Sequence, residues 1–159
     1  MSSSATKTKS AESALARRLD EARSHCETRG AQLTEQRREV LELLLRRAGH
    51  AKAYDIQEDM QSRHGRVAPT TVYRALDFLI DQHLVHKVET TNSYVVCEHG
   101  HHAHPTMMLI CSSCGSIQEW QAPGWFEGLK AALRADASGF TPAAIEIKGR
   151  CAACAATDV

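Results

Sequence analysis

Apolar residues recur every three or four positions through the first half of the chain, then switch to alternation. Between Ser10 and Arg29, the residues Ala14, Leu15, Leu19, Ala22 and Cys26 share one helical stripe, and Gly30 can close that helix. Thr34 is positioned as the N-cap of a second helix, TEQRREVLELLLRRA, in which Val40, Leu41, Leu44 and Leu45 form the apolar face and Gly49 ends the run. A third helix, about Ala53 to His64, is amphipathic through Tyr54, Ile56 and Met60 and stops at Gly65. A fourth opens at Pro69, a residue suited to the first turn, and buries Val72, Leu76 and Leu79 with help from Ala75 and Ile80.

Beyond that helix the segments LVHKVE and SYVVC alternate like two short strands, joined by the polar turn Thr90-Thr91-Asn92. Helices followed by a hairpin, two of them separated by a short turn, describe a winged helix-turn-helix. The later pattern is different. MMLIC and SIQEW predict a second hairpin, Trp125, Phe126, Leu129, Ala132 and Leu133 an amphipathic helix, and Ile145 and Ile147 a last strand. The expected class is α+β, divided into a disordered 1–10, a winged-helix domain over 11–97, a hinge at 98–104 and a small α/β domain over 105–159. That last unit has only about 55 residues. It buries too little apolar area to be secure alone, so a metal staple and a second copy of the chain both make physical sense.

Composition narrows the function. Lysine and arginine number 19, as do aspartate and glutamate, so there is no global basic coat and any nucleic-acid contact has to use a local patch. One such patch is present: no acidic residue lies between Asp59 and Asp77, whereas Arg63, His64, Arg66 and Arg74 do. The outward face of the fourth helix adds Thr70, Thr71 and Tyr73, side chains able to touch a phosphate or a thymine methyl beside a guanine-reading arginine. No apolar run approaches the roughly 20 residues of a membrane span, and MSSSATKTKS lacks the apolar core of an export signal, so a cytoplasmic protein is expected.

Cysteine spacing carries the chemistry. Cys111/Cys114 and Cys151/Cys154 are two C-x-x-C pairs separated by 36 residues. In a reducing compartment they form the four-thiolate set of a structural zinc site, with a redox dithiol as the rival reading. Further metal-prone residues gather near the expected hinge: His86, Cys97, His99, His101, His102, His104 and Glu119. Ligands drawn from wing, hinge and second domain bind an ion only in one relative arrangement, which is the logic of a switch. Cys26, on an apolar stripe, is read as core. A catalytic zinc needs an open position and a general base, and no P-C-x-x-C follows an H-x-E, so an enzyme is not expected.

The runs PTTVYRALDFL (69–79), LVHKVE (84–89), NSYVVC (92–97) and CSSCG (111–115) resemble the ferric uptake regulator superfamily, and in particular its zinc-responsive branch. The resemblance runs from about residue 13 to 154. One departure is Glu35, in L-T-E-Q-R, where many relatives carry proline. The resemblance implies a homodimeric, metal-dependent repressor with an N-terminal winged helix and a C-terminal α/β dimerisation domain. It acts on operator DNA and represses zinc-uptake genes, without a small-molecule substrate. It further implies two zinc ions per chain: a structural one on Cys111, Cys114, Cys151 and Cys154, and a regulatory one on His86, Cys97, His104 and Glu119. His99, His101 and His102 are left as ligands of a possible extra site. An iron- or peroxide-responsive regulator on the same fold is the alternative. The thiolate of Cys97 argues against it, because iron(II) favours nitrogen and oxygen ligands in larger coordination numbers.

Overall fold

The computed structural model describes residues 3–98, 104–121, 124–136, 139–140 and 142–156, with side chains from residue 10 onward. It divides into two compact units, Met1–His102 and Ala103–Val159. Among the described residues the fold is mixed, with six helices and two three-stranded sheets.

The first unit runs α1 (Ser3–Thr28), α2 (Glu35–Arg46), β1 (His50–Lys52), α3 (Ala53–His64), α4 (Pro69–Asp81), β2 (Val85–Val88) and β3 (Ser93–Val96). Its helices are held by the residues that periodicity selects. Leu19, Ala22 and Cys26 of α1, Val40, Leu41 and Leu44 of α2, Ile56 and Met60 of α3, and Val72, Leu76 and Leu79 of α4 form one buried cluster. Pro69 occupies the first turn of α4, where a missing N–H costs nothing. The Asp55 carboxylate accepts from the Lys52 backbone N–H at 3.1 Å, satisfying a donor at the start of α3. Gly65, at φ 78°, closes the same helix in a conformation that other residues rarely adopt. A two-pronged ion pair from Arg47 to Asp59, at 2.6 and 3.0 Å, ties the end of α2 to α3.

Several expectations need correction. Residues 3–10, expected as a disordered lead, continue α1, because no proline or glycine precedes Ser10 to stop the helix. Tyr54, expected on the apolar face of α3, is 66% exposed, leaving Ile56 and Met60 to make the contact. Leu43 is buried as well as its neighbours, while Leu45 and Ile80 are only partly covered. β1 was not expected at all, since three residues are too few for alternation to show. It pairs antiparallel with β3 (His50↔Val95, Lys52↔Ser93), giving the order β1-β3-β2.

The second unit runs β4 (Thr106–Cys111), β5 (Ile117–Trp120), α5 (Trp125–Ala135), β6 (Ala144–Gly149) and a single turn, α6 (Ala152–Ala155). β4 is central and well covered through Met107, Met108 and Ile110. It pairs antiparallel with β5 and parallel with β6, and a parallel pair needs a crossover, which α5 supplies. α5 is amphipathic as expected but fully buries none of its residues within the chain, and Ile147 of β6 is 44% exposed.

Leu76 is fully enclosed in the first unit. Leu76→Ala is expected to lower stability by about 2–5 kcal/mol, read as a lower denaturant midpoint at an unchanged slope.

Candidate functional site

The two C-x-x-C pairs meet in the second unit. Cys111 ends β4, and Cys114 sits in the following turn, which Gly115 closes at φ 73°. Cys151 is the N-cap of α6 and Cys154 lies within it. The parallel register, Cys111↔Gly149, delivers the second pair to the first. Ser112 fastens the junction, donating to the Gly149 carbonyl from its backbone N–H at 2.8 Å and from its hydroxyl at 3.0 Å. All four sulfurs lie within 4.8 Å of one another, and Cys114 Sγ is 3.8 Å from Cys151 Sγ. A zinc tetrahedron with bonds of about 2.3 Å has edges of about 3.8 Å, so the donor set fits that ion in size and in kind.

The electrostatics agree. Backbone N–H groups of Cys114, Cys151 and Ser113 hold the Cys111 thiol down to about 5, and hydrogen bonds from Ser116 lower Cys114. Cys154 is pushed up to about 12 by hydrogen bonding with Cys151 and Cys114. Such a cluster readily gives up its first proton and resists losing the last, and a dication removes that resistance.

The remaining expected ligands form one pair in each unit. In the first, His86 lies on β2 opposite Val95, and Cys97, buried, follows β3 with its N–H donating to the Leu84 carbonyl at 2.9 Å. That register puts His86 and Cys97 on one face of the hairpin, with a ring nitrogen and the sulfur within 4.8 Å of each other. In the second, Glu119 on β5 is buried, with Oε1 at 3.6 Å from His104 Nε2. His104 Nδ1 lies 3.2 Å from the Pro105 carbonyl, which leaves Nε2 on the side of the carboxylate. Metal-binding histidines commonly use their second nitrogen in this way. Gln121 Nε2 lies 3.2 Å from the same Nδ1, a neighbour that sequence spacing did not reveal and that could donate only in the other tautomer. His99, His101 and His102 lie outside the described residues.

On the first unit, α4 presents Thr70, Tyr73 and Arg74 outward, and Thr71 is half-covered. Arg63 and Arg66 are exposed before it. α2 adds two cations the linear reading missed. Arg37 stacks over Phe78 at 3.7 Å and lines a hollow with Thr71 and Arg74, and Arg38 faces the groove that holds Arg63 and Arg66. It adds an acid too. Glu39 is 2.8 Å from His64 and 3.4 Å from Arg63, so the acid-free stretch of sequence is not acid-free in space.

The chain is 42% identical over 139 residues to the zinc uptake regulation protein of Escherichia coli (strain K12), an alignment covering 86% of this chain and 80% of that one. Its structure is similar to that of a zinc uptake regulator complexed with zinc and DNA, with a TM-score of 0.79 and 39% identity across 91% of this chain and 97% of the other. A holo XcZur crystal structure is also similar, with a TM-score of 0.74 and 39% identity across 87% and 96% of the two chains. The family model for the ferric uptake regulator family matches residues 28–148, and the chain belongs to that family.

Proposed function

We propose that the chain is a zinc-responsive transcriptional repressor that binds operator DNA as a homodimer and silences zinc-uptake genes. The observation that carries this reading is the division of the second ligand set. His86 and Cys97 belong to one unit, His104 and Glu119 to the other, and each pair is already gathered locally.

In this reading, residues 11–97 are a winged helix-turn-helix, with α3 and α4 as its two helices and the β2–β3 hairpin as its wing. Residues 98–104 are the hinge and 105–159 the dimerisation domain. Cys111, Cys114, Cys151 and Cys154 hold a structural zinc, and His86, Cys97, His104 and Glu119 a regulatory one, two ions per chain. Zinc supplies a divalent cross-link whose affinity differs between arrangements of the two units, and that difference shifts their populations. One thiolate and one carboxylate balance its charge, so the closed site buries no uncompensated ion. Full switching needs a preference of roughly 5 kcal/mol.

The chain's own residues do the rest. Thr70, Tyr73 and Arg74 on α4 reach base edges and phosphates in the major groove, while Arg63, Arg66 and Thr71 address the backbone. A two-fold pair of such helices fits a near-palindromic site. The incompletely covered α5 and β6 are the faces offered to a second copy. Both ligand sets supply four protein donors, unlike a catalytic zinc with its open position, which supports a regulator rather than an enzyme. No helix among the described residues is long and apolar enough to cross a membrane, consistent with a cytoplasmic regulator.

Titrating buffered free zinc into a gel-shift assay should switch operator binding on while the protein passes from one bound zinc per chain to two. Cys97→Ser should abolish that switch and keep the first zinc. Operator binding by the metal-stripped chain as tight as by the loaded one overturns the reading. Cys151→Ser should instead remove the first zinc and shift the chain towards monomer, as measured by light scattering.

Zinc loading of the four-cysteine site is expected to release protons at neutral pH, that of Cys154, whose thiol is pushed up to about 12, among them. Calorimetry in buffers of differing ionisation enthalpy reads that release. Because zinc binds thiolates, and Cys111 is the thiol most readily held as one, acidification rather than alkaline pH is expected to release the ion.

A further inference from the structure

Glu39 occupies an unusual position for a residue beside a nucleic-acid surface. His64 Nε2 lies 2.8 and 2.9 Å from its two carboxylate oxygens, and Arg63 Nη1 lies 3.4 Å from Oε1. The Glu39 side chain is only 17% exposed, whereas those of Arg63 and His64 are 41% and 55% exposed. The acid is therefore held in place by its surroundings, and the cations stay reachable from solvent. All three line one open groove of about 550 Å³, which continues past Arg38 and Arg66 to Thr71 at the first turn of α4.

We propose that Glu39 is a specificity-determining residue, which restrains Arg63 and His64 from indiscriminate phosphate contacts. This inference rests on the DNA-binding reading above. Phosphate contacts supply the sequence-independent share of affinity, and base edges supply the selective share. A backbone phosphate that approaches Arg63 has to displace a carboxylate already paired with it, and meets like-charge repulsion at short range. The readers on α4, Thr70, Tyr73 and Arg74, face outward on a different helix. Glu39 thus lowers the first share more than the second and widens the gap between matched and unmatched duplexes. Glu35 and Glu42 line the same groove, but Glu39 is the acid within ion-pair distance of both Arg63 and His64.

The test uses the full-length, zinc-loaded chain with two probes, followed by fluorescence anisotropy across a salt series. One probe is a mixed-sequence duplex of about 30 base pairs, roughly three helical turns. The other is a duplex selected from a random pool by the wild-type protein. Glu39→Gln should tighten binding to the mixed-sequence probe about tenfold at low salt. It should steepen the dependence of log affinity on log salt by about 0.9 for each cation set free. The selected probe should gain less, so that the ratio between the two affinities falls. Adding Arg63→Gln to Glu39→Gln should erase most of the gain, and Glu39→Ala carries the same expectations should the glutamine variant fail to fold. Unchanged or weaker binding to the mixed-sequence probe, with an unchanged salt slope, overturns the assignment of Glu39 alone. A wild-type chain that binds neither probe overturns the regulator reading, and this inference with it.

Discussion

The parallel pairing of β4 with β6 is the constraint on which the second unit depends. Two cysteine pairs separated by 36 residues cannot act together unless something carries the chain back to its starting point. The α5 crossover does so, and the register sets Cys111 beside Gly149, one strand end against another. Ser112 then clamps the joint with two hydrogen bonds to the same carbonyl. The unit is small, and among its described residues the buried apolar side chains come from β4 and Pro142. Cohesion of that kind is thin, and the four cysteines gathered at one end of the sheet offer it a further tie.

The first unit follows another logic. Its stability comes from a conventional apolar cluster built from four helices and the small sheet, with polar devices at the seams: Arg47 with Asp59, Asp55 with the Lys52 amide, and His25 with the Gln82 carbonyl at 2.8 Å. A unit that folds on its own core brings His86 beside Cys97 through strand register alone. The second unit does likewise with His104 and Glu119. Side chains gathered in advance lower the ordering entropy that any later binding would cost.

Much of this was legible in the linear chain, and the reasons differ by element. α2, α3 and α4 are amphipathic with a punctuating Pro or Gly, so both their existence and their limits could be read: α3 ends at His64 against Gly65, and α4 begins at Pro69. The four-sulfur cluster was legible because the C-x-x-C spacing is itself chemical. β1 and α6 were not, since three or four residues leave no period to detect. Tyr54 misled because an aromatic at helical spacing is usually buried, and here the helix offers it to solvent. Glu39 and Arg37 escaped for a different reason. Their relation to Arg63, His64 and Phe78 is made by the packing of α2 on α3 and α4, and separations of 24, 25 and about 40 positions leave no local trace.

In α4 the enclosed positions Val72, Ala75, Leu76 and Leu79 alternate with the outward Thr70, Tyr73, Arg74 and Asp77 at the helical period. Tertiary packing therefore constrains one set and leaves the other almost unconstrained. Exchange of an outward side chain costs the core little, so mutations there can drift or be selected without an accompanying loss of folded protein. For descendants of this chain, such decoupling makes the chemistry of that exposed face one of the cheapest traits to rewrite. The cysteine cluster and the His86–Cys97 pair, tied to strand register, have no such freedom.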